Sequence, residues 1–184
     1  FWVGGVDAQF HAAPNLEVGG SAVADRNPLA PYELISGNVT IKFDERSSMV
    51  VELAQTSSTV NTNPANLNVS RGLSGAVGQV DGMAGRLEFI HQGQRTEARV
   101  FAGRSSPYFN NSSSPLAGGR QELYGRAAVK LTDRVKLYGE ATHSEDRNAG
   151  GGERDMAAIG LQWFPTEKLT LDASLRRSRE TIGV

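Results

Sequence analysis

Cysteine is absent from the 184 residues. Disulfide scaffolds, zinc–cysteine centres and thiol nucleophiles are therefore excluded together. Neither sign of charge is in surplus: 19 basic and 20 acidic side chains leave a formal net charge of −1. A phosphate-binding surface shows a basic excess, so nucleic acid is not an expected partner. A helical membrane span needs roughly 20 consecutive apolar residues, and no such run occurs. The mean hydropathy of −0.35 does not argue against a β-sheet in a membrane. A spanning strand needs only about 9–11 residues, and every second one faces away from lipid. The opening Phe1-Trp-Val-Gly-Gly5 reads as a strand and not as a secretory leader, having no charged n-region or cleavage site. Both ends read as strands or loops cut mid-course, so the expectation is a piece of a longer polypeptide.

What the chain does contain is alternation. Each apolar alternating run ends in a large hydrophobic residue, and a short polar turn follows. Phe10 precedes 11–15, Phe43 precedes 44–47, Phe89 precedes 92–94, Leu131 precedes 132–134 and Trp163 precedes 165–168. A second alternating run follows every turn. Period two with short polar connections predicts five hairpins, or ten antiparallel strands. The connections between hairpins are mostly longer, at 57–77, 104–122 and 144–154, and only 26–31 is brief. Short turns at one end and long loops at the other are the asymmetry of an outer-membrane barrel. Phe10, Phe43, Phe89 and Trp163 then form a collar at the membrane interface, where aromatic rings concentrate.

The two faces differ in kind. One carries Gly and Ala among larger apolar residues: Gly4, Ala8, Gly20, Ala22, Gly37, Gly85, Ala98, Gly125, Ala127, Gly139 and Ala141. A soluble sandwich must fill about 10 Å between its sheets with bulky side chains. Lipid tails conform to small residues without leaving voids. The opposite face is ionic with both signs, including Glu52, Arg86, Glu88, Arg99, Arg126, Lys130, Glu140, Asp172 and Arg176. Such groups suit a hydrated lumen, where opposite charges pair across strands. The expectation is an all-β fold over 1–184: an antiparallel up-and-down transmembrane barrel of about ten strands, or a segment of a larger one.

Candidate chemistry is sparse. His11, His91 and His143 fit no metal-ligand spacing and read as solvated histidines at turn ends and at the start of a loop. His143, Ser144, Glu145 and Asp146 share one expected rim, which raises a rim hydrolase as a remote reading against a plain polar loop. Gly75-Ala-Val-Gly78 and Gly82-Met-Ala-Gly85 lack the Lys-Ser/Thr of a phosphate loop, and Gly150-Gly-Gly152 reads as a loop tip. Asn38-Val-Thr40, Asn68-Val-Ser70 and Asn110-Asn-Ser112 match a glycosylation pattern that a bacterial surface protein would seldom use. No cofactor is expected, and the chain does not read as an enzyme.

Two stretches carry a family resemblance best: Arg126-Ala-Ala-Val-Lys-Leu-Thr-Asp-Arg-Val-Lys-Leu-Tyr-Gly-Glu-Ala141 and Gly160-Leu-Gln-Trp-Phe-Pro-Thr-Glu-Lys-Leu-Thr-Leu171. In these the chain resembles bacterial outer-membrane β-barrels built from tandem charged hairpins. The resemblance is one of pattern over nearly the whole length. It implies the outer membrane of a diderm bacterium, with the lipid bilayer as partner. Such barrels usually close on a C-terminal aromatic strand, whereas this chain ends Ser178-Arg-Glu-Thr-Ile-Gly-Val184. The implied partners therefore include further strands of the same parent, or other outer-membrane or periplasmic subunits. The leading functional expectation is a pore or export channel with a charged lumen. The alternative is a surface anchor or adhesin without a transport role.

Overall fold

A computed structural model describes residues 1–28, 30–60, 78–111, 116, 118–148 and 151–182. Most of the expected 57–77 loop, Asn68-Val-Ser70, 75–77, Ser112 and Gly150 lie outside them. The described residues form ten strands: β1 (Val3–Ala13), β2 (Leu16–Asp25), β3 (Tyr32–Lys42), β4 (Ser47–Val60), β5 (Gly78–Gln92), β6 (Thr96–Ser105), β7 (Arg120–Thr132), β8 (Val135–Asp146), β9 (Glu153–Thr166) and β10 (Leu169–Thr181). They make one antiparallel sheet in sequence order. Every strand has at least 10 residues, enough for a tilted strand to cross a bilayer core.

All five hairpins fall where alternation and turn chemistry place them, and their short ends are joined by a recurring bond. The carbonyl of a turn residue in one hairpin accepts from a backbone N–H of the next. Lys42 donates to Asn15 at 2.9 Å, and Gln92 to Arg46, Lys130 to Arg95 and Phe164 to Arg134 at 2.8 Å each. These bonds satisfy turn carbonyls that would otherwise need water. They also fix neighbouring hairpins at one level.

Burial is inverted relative to a soluble protein. The face carrying Ile35, Leu53 and Met83 is open, with Ile35 67% and Leu53 65% exposed. An apolar patch spanning ten strands far exceeds what water-soluble monomers leave bare. Phe43 and Phe89 meet on this face with ring centroids 6.3 Å apart, and Phe10 and Trp163 stand exposed at the same short-turn level. Among the described residues the buried apolar side chains are Leu34, Ala54, Phe109, Leu116 and Ala128. None of these belongs to the apolar face. Leu34, Ala54 and Ala128 share the ionic face by alternation, and Phe109 and Leu116 belong to the β6–β7 connection.

The fold also decides points that the sequence left open. Of the two alternatives expected, a barrel of about ten strands or a segment of a larger one, the ten strands form an unclosed sheet, with β1 and β10 at the two ends of its order and not paired with each other. Gly82-Met-Ala-Gly85, which lacks the Lys-Ser/Thr of a phosphate loop, lies within β5. The stretch expected as a long loop at 104–122 begins in β6 and ends in β7, and its described residues Phe109 and Leu116 pack on the ionic face.

Candidate pore lining

The ionic face divides into paired and unpaired charges. Glu52 and Arg86 lie directly opposite on β4 and β5, and Arg86 Nε donates to Glu52 Oε2 at 2.7 Å. Glu88 accepts from Arg99 Nε of β6, also at 2.7 Å. Lys136 on β8 reaches across β7 to Glu97 on β6 at 2.9 Å. The span is possible because Ala128, the residue opposite Glu97 in β7, is small and lies beneath it.

On β7 and β8 the pattern changes. Arg126 stands opposite Arg99 on one side and Glu140 on the other. Lys130 stands opposite Lys136. Among the described residues Arg126, Lys130 and Glu140 form no ion pair. Like charges directly opposite one another are unfavourable unless water screens them, so this region calls for hydration. Asp172 accepts from Tyr138 Oη at 2.9 Å. The Tyr138 ring reaches it by lying over Gly160, where a Cβ would collide with the ring. Arg176 contacts Met156 Sδ at 2.5 Å. All nine sequence-predicted lining charges thus fall on one face, and the structure separates those that neutralise one another from those that do not.

The β6–β7 connection narrows this face. Phe109, 4% exposed, sits against Gly82 of β5, and Leu116, 2% exposed, sits on Gly103 of β6 beside the Phe101 ring. Any side chain at Gly82 would strike the backbone of Tyr108 and Phe109. Asn110 N–H donates to Thr56 Oγ1 on β4 at 3.2 Å, and Met83 N–H to Ser106 Oγ at 2.9 Å. Gly119 closes the segment with φ of +74°, a left-handed conformation that favours glycine. Its neighbour Gly118 accepts from Asn148 Nδ2 at 3.0 Å, which ties the segment to the β8–β9 connection. Sequence reasoning missed this inward packing. The available signal was small residues and one aromatic, Gly82, Gly103 and Phe101, on a face otherwise polar.

The histidines also differ from expectation. The two ring nitrogens of His91 lie 2.9 Å from Ser47 Oγ and 2.9 Å from Thr96 Oγ1, so its turn-end ring is held rather than solvated. His143 lies inside β8, not at the start of a loop. Its Nδ1 is 2.8 Å from Asp155 and 3.8 Å from Glu153, and the three groups offer ligand atoms within 4.8 Å of one another. Spacing could not show this, because the partners come from adjacent strands. The four residues of the remote hydrolase reading do not converge. Strand alternation puts His143 and Glu145 on the apolar side of the sheet, and Ser144 and Asp146 on the ionic side.

No protein-family model and no curated protein matches the chain. Among solved structures it is similar to the outer membrane channel DcaP of Acinetobacter baumannii, with a TM-score of 0.54 at 12% identity. The match covers 97% of this chain and 59% of that one. The chain therefore spans about three fifths of that channel's length. The likeness establishes the fold: the all-β, antiparallel, up-and-down strand order of an outer-membrane channel.

Proposed function

We propose that this chain forms part of the wall of an outer-membrane pore. Its ionic face lines a hydrated lumen that passes small polar solutes, and its apolar face meets lipid. The observation that carries the reading is the unpaired group Arg126, Lys130 and Glu140, exposed to the same space as the paired Glu52–Arg86 and Glu88–Arg99. A face whose charges all neutralised one another would suit a filled interior. One that leaves both signs unpaired needs water beside it. The described residues of the β6–β7 connection, with Phe109 and Leu116 packed on the ionic face, lie on the lumen side in this reading and act as a constriction. Backbone groups along β1 and β10 need partners in a membrane, so further strands, of the same parent or of another subunit, complete the wall.

The anchor or adhesin reading has less support, because the described part of the 104–122 connection turns inward and offers little outward surface. No catalytic role is proposed. The test is conductance in planar bilayers of the protein folded with whatever strands complete it. Open channels are expected, and Arg126→Glu should move ion preference toward cations. A closed bilayer, or a preference indifferent to that change, would return the chain to the anchor reading.

A further inference from the structure

On the apolar face, at the long-loop end of β6–β10, lies a depression of about 570 Å³. Its floor is small, made by Gly125, Ala141 and Ala157, with Val100 and Leu123 at its margin. Arg177 and Arg179 stand at its β10 side. Both are on the outward face by alternation with Leu175, and among the described residues neither forms an ion pair. Asp155 is directly opposite Arg179 in register, yet its carboxylate engages His143 at 2.8 Å. Glu153 also lies toward His143, at 3.8 Å, and Glu145, opposite Glu153, is the remaining carboxylate there. The carboxylates thus leave two guanidinium groups uncommitted where the apolar band meets the polar rim.

We infer that this depression holds a phosphorylated lipid of the outer leaflet, with an acyl chain on the Gly/Ala floor and the headgroup phosphate on Arg177 and Arg179. The inference rests on the bilayer reading above. A planar guanidinium matches phosphate oxygens in paired, charge-assisted hydrogen bonds. The glycine and alanines leave a trough where bulky residues would have made a ridge. Apolar floor and cationic edge adjoin at the level where an amphiphile changes from tail to headgroup. A free anion would use only the edge, and an uncharged tail only the floor.

The test incubates the full chain, folded in detergent micelles, with lipid A or with lipid A stripped of its phosphates, and reads bound lipid by native mass spectrometry. Lipid A should be retained about tenfold over the stripped form, the scale of one charge-assisted contact. Arg177→Gln with Arg179→Gln should abolish that preference. Gly125→Leu should lower retention with both arginines intact, since a Cβ there meets no atom within 4 Å and the added side chain fills the trough without disturbing the sheet. Inorganic phosphate in excess should not displace the lipid. Equal retention of both lipids, a preference that survives the double substitution, or displacement by inorganic phosphate overturns the site. Loss on chelation alone, with the double variant still binding, would move the contact to the carboxylates and also overturn it. A chain that stays dispersed in water without detergent sinks the bilayer reading itself. One that needs detergent but shows no phosphate preference sinks only the lipid site.

Discussion

The ionic faces of β3–β6 and β7–β10 are built from similar residues to different ends. On β3–β6 the described charges of the ionic face are paired, Lys42 with Glu17 of β2, Glu97 with Lys136 of β8 and the others with one another, and Phe109 and Leu116 of the β6–β7 connection cover the far end. On β7–β10 two cations and an acid stand unpaired beside each other, and small residues serve as bridges under long side chains, as Ala128 does for Lys136 and Gly160 for Tyr138. Glycine has opposite uses in the two halves. Gly82 and Gly103 admit a packed segment, whereas Gly160 admits one ring that links two strands. One half is a seat, and the other is open wall.

If that division holds, removing the seated segment has the largest effect. Replacing 107–118 by a short Gly-Ser connection should raise single-channel conductance severalfold, because the proposed constriction is lost while the wall remains. Unchanged conductance would mean that the constriction lies elsewhere. Charge inversion sharpens the contrast. Arg126→Glu, in the open half, should change ion preference with little loss of stability. Arg86→Glu, in the seated half, breaks the pair with Glu52 and places two carboxylates opposite one another. It should mainly lower stability, by roughly 1–3 kcal/mol as an uncompensated, part-buried charge. Reversal potentials and denaturant titrations read the two effects separately. The division fails if both variants shift selectivity equally.

How much of this was legible before the fold was known follows from period. A strand repeats every two residues, so reading alternate positions separates the faces without tertiary information. Short turns then fix which strands are neighbours. That sufficed for the hairpins, for the exposed level that Phe10, Phe43, Phe89 and Trp163 share and for the common face of the nine charges. It did not suffice where contacts join elements without a common period. Phe109 and Leu116 lie in an aperiodic stretch rich in Ser and Asn, which reads as solvated loop until Gly82 and Gly103 are seen beneath it. The His143–Asp155 contact needs the β8–β9 register, and that depends on how the connection between them is spent. Pairing among charges was open for the same reason: Lys136 finds its partner two strands away.

Packing gives the next largest effect. Phe109→Ala removes a ring that is 4% exposed and should cost about 3 kcal/mol of segment docking. Protease cutting near 106–119 should rise accordingly. Ile159→Ala, on the apolar face of the open half and 55% exposed, should cost well under half as much if lipid tails fill the gap. Equal losses would mean that the apolar face is packed by protein.

The smallest effect separates the halves at their turns. In the seated half, Asp44 Oδ1 accepts from Arg46 N–H at 2.7 Å. In the open half, Thr132 Oγ1 accepts from Arg134 N–H at 3.2 Å. The geometry is similar, but only one acceptor titrates. The Arg46 N–H bond first, and then bonds from Ser47, hold the Asp44 carboxyl below its ordinary value of 3.8. A carboxyl lowered in the folded state stabilises above its unfolded pKa, and the contribution fades as pH falls through the lower folded value. Amide exchange at Arg46 should therefore lose protection as the buffer is acidified through and below the ordinary carboxylate range, while Arg134 keeps its own. Asp44→Asn should remove the pH dependence and leave the turn formed, because the amide oxygen still accepts. If Arg46 and Arg134 respond to acid alike, the difference between the turns lies outside Asp44, in the sheet that carries them.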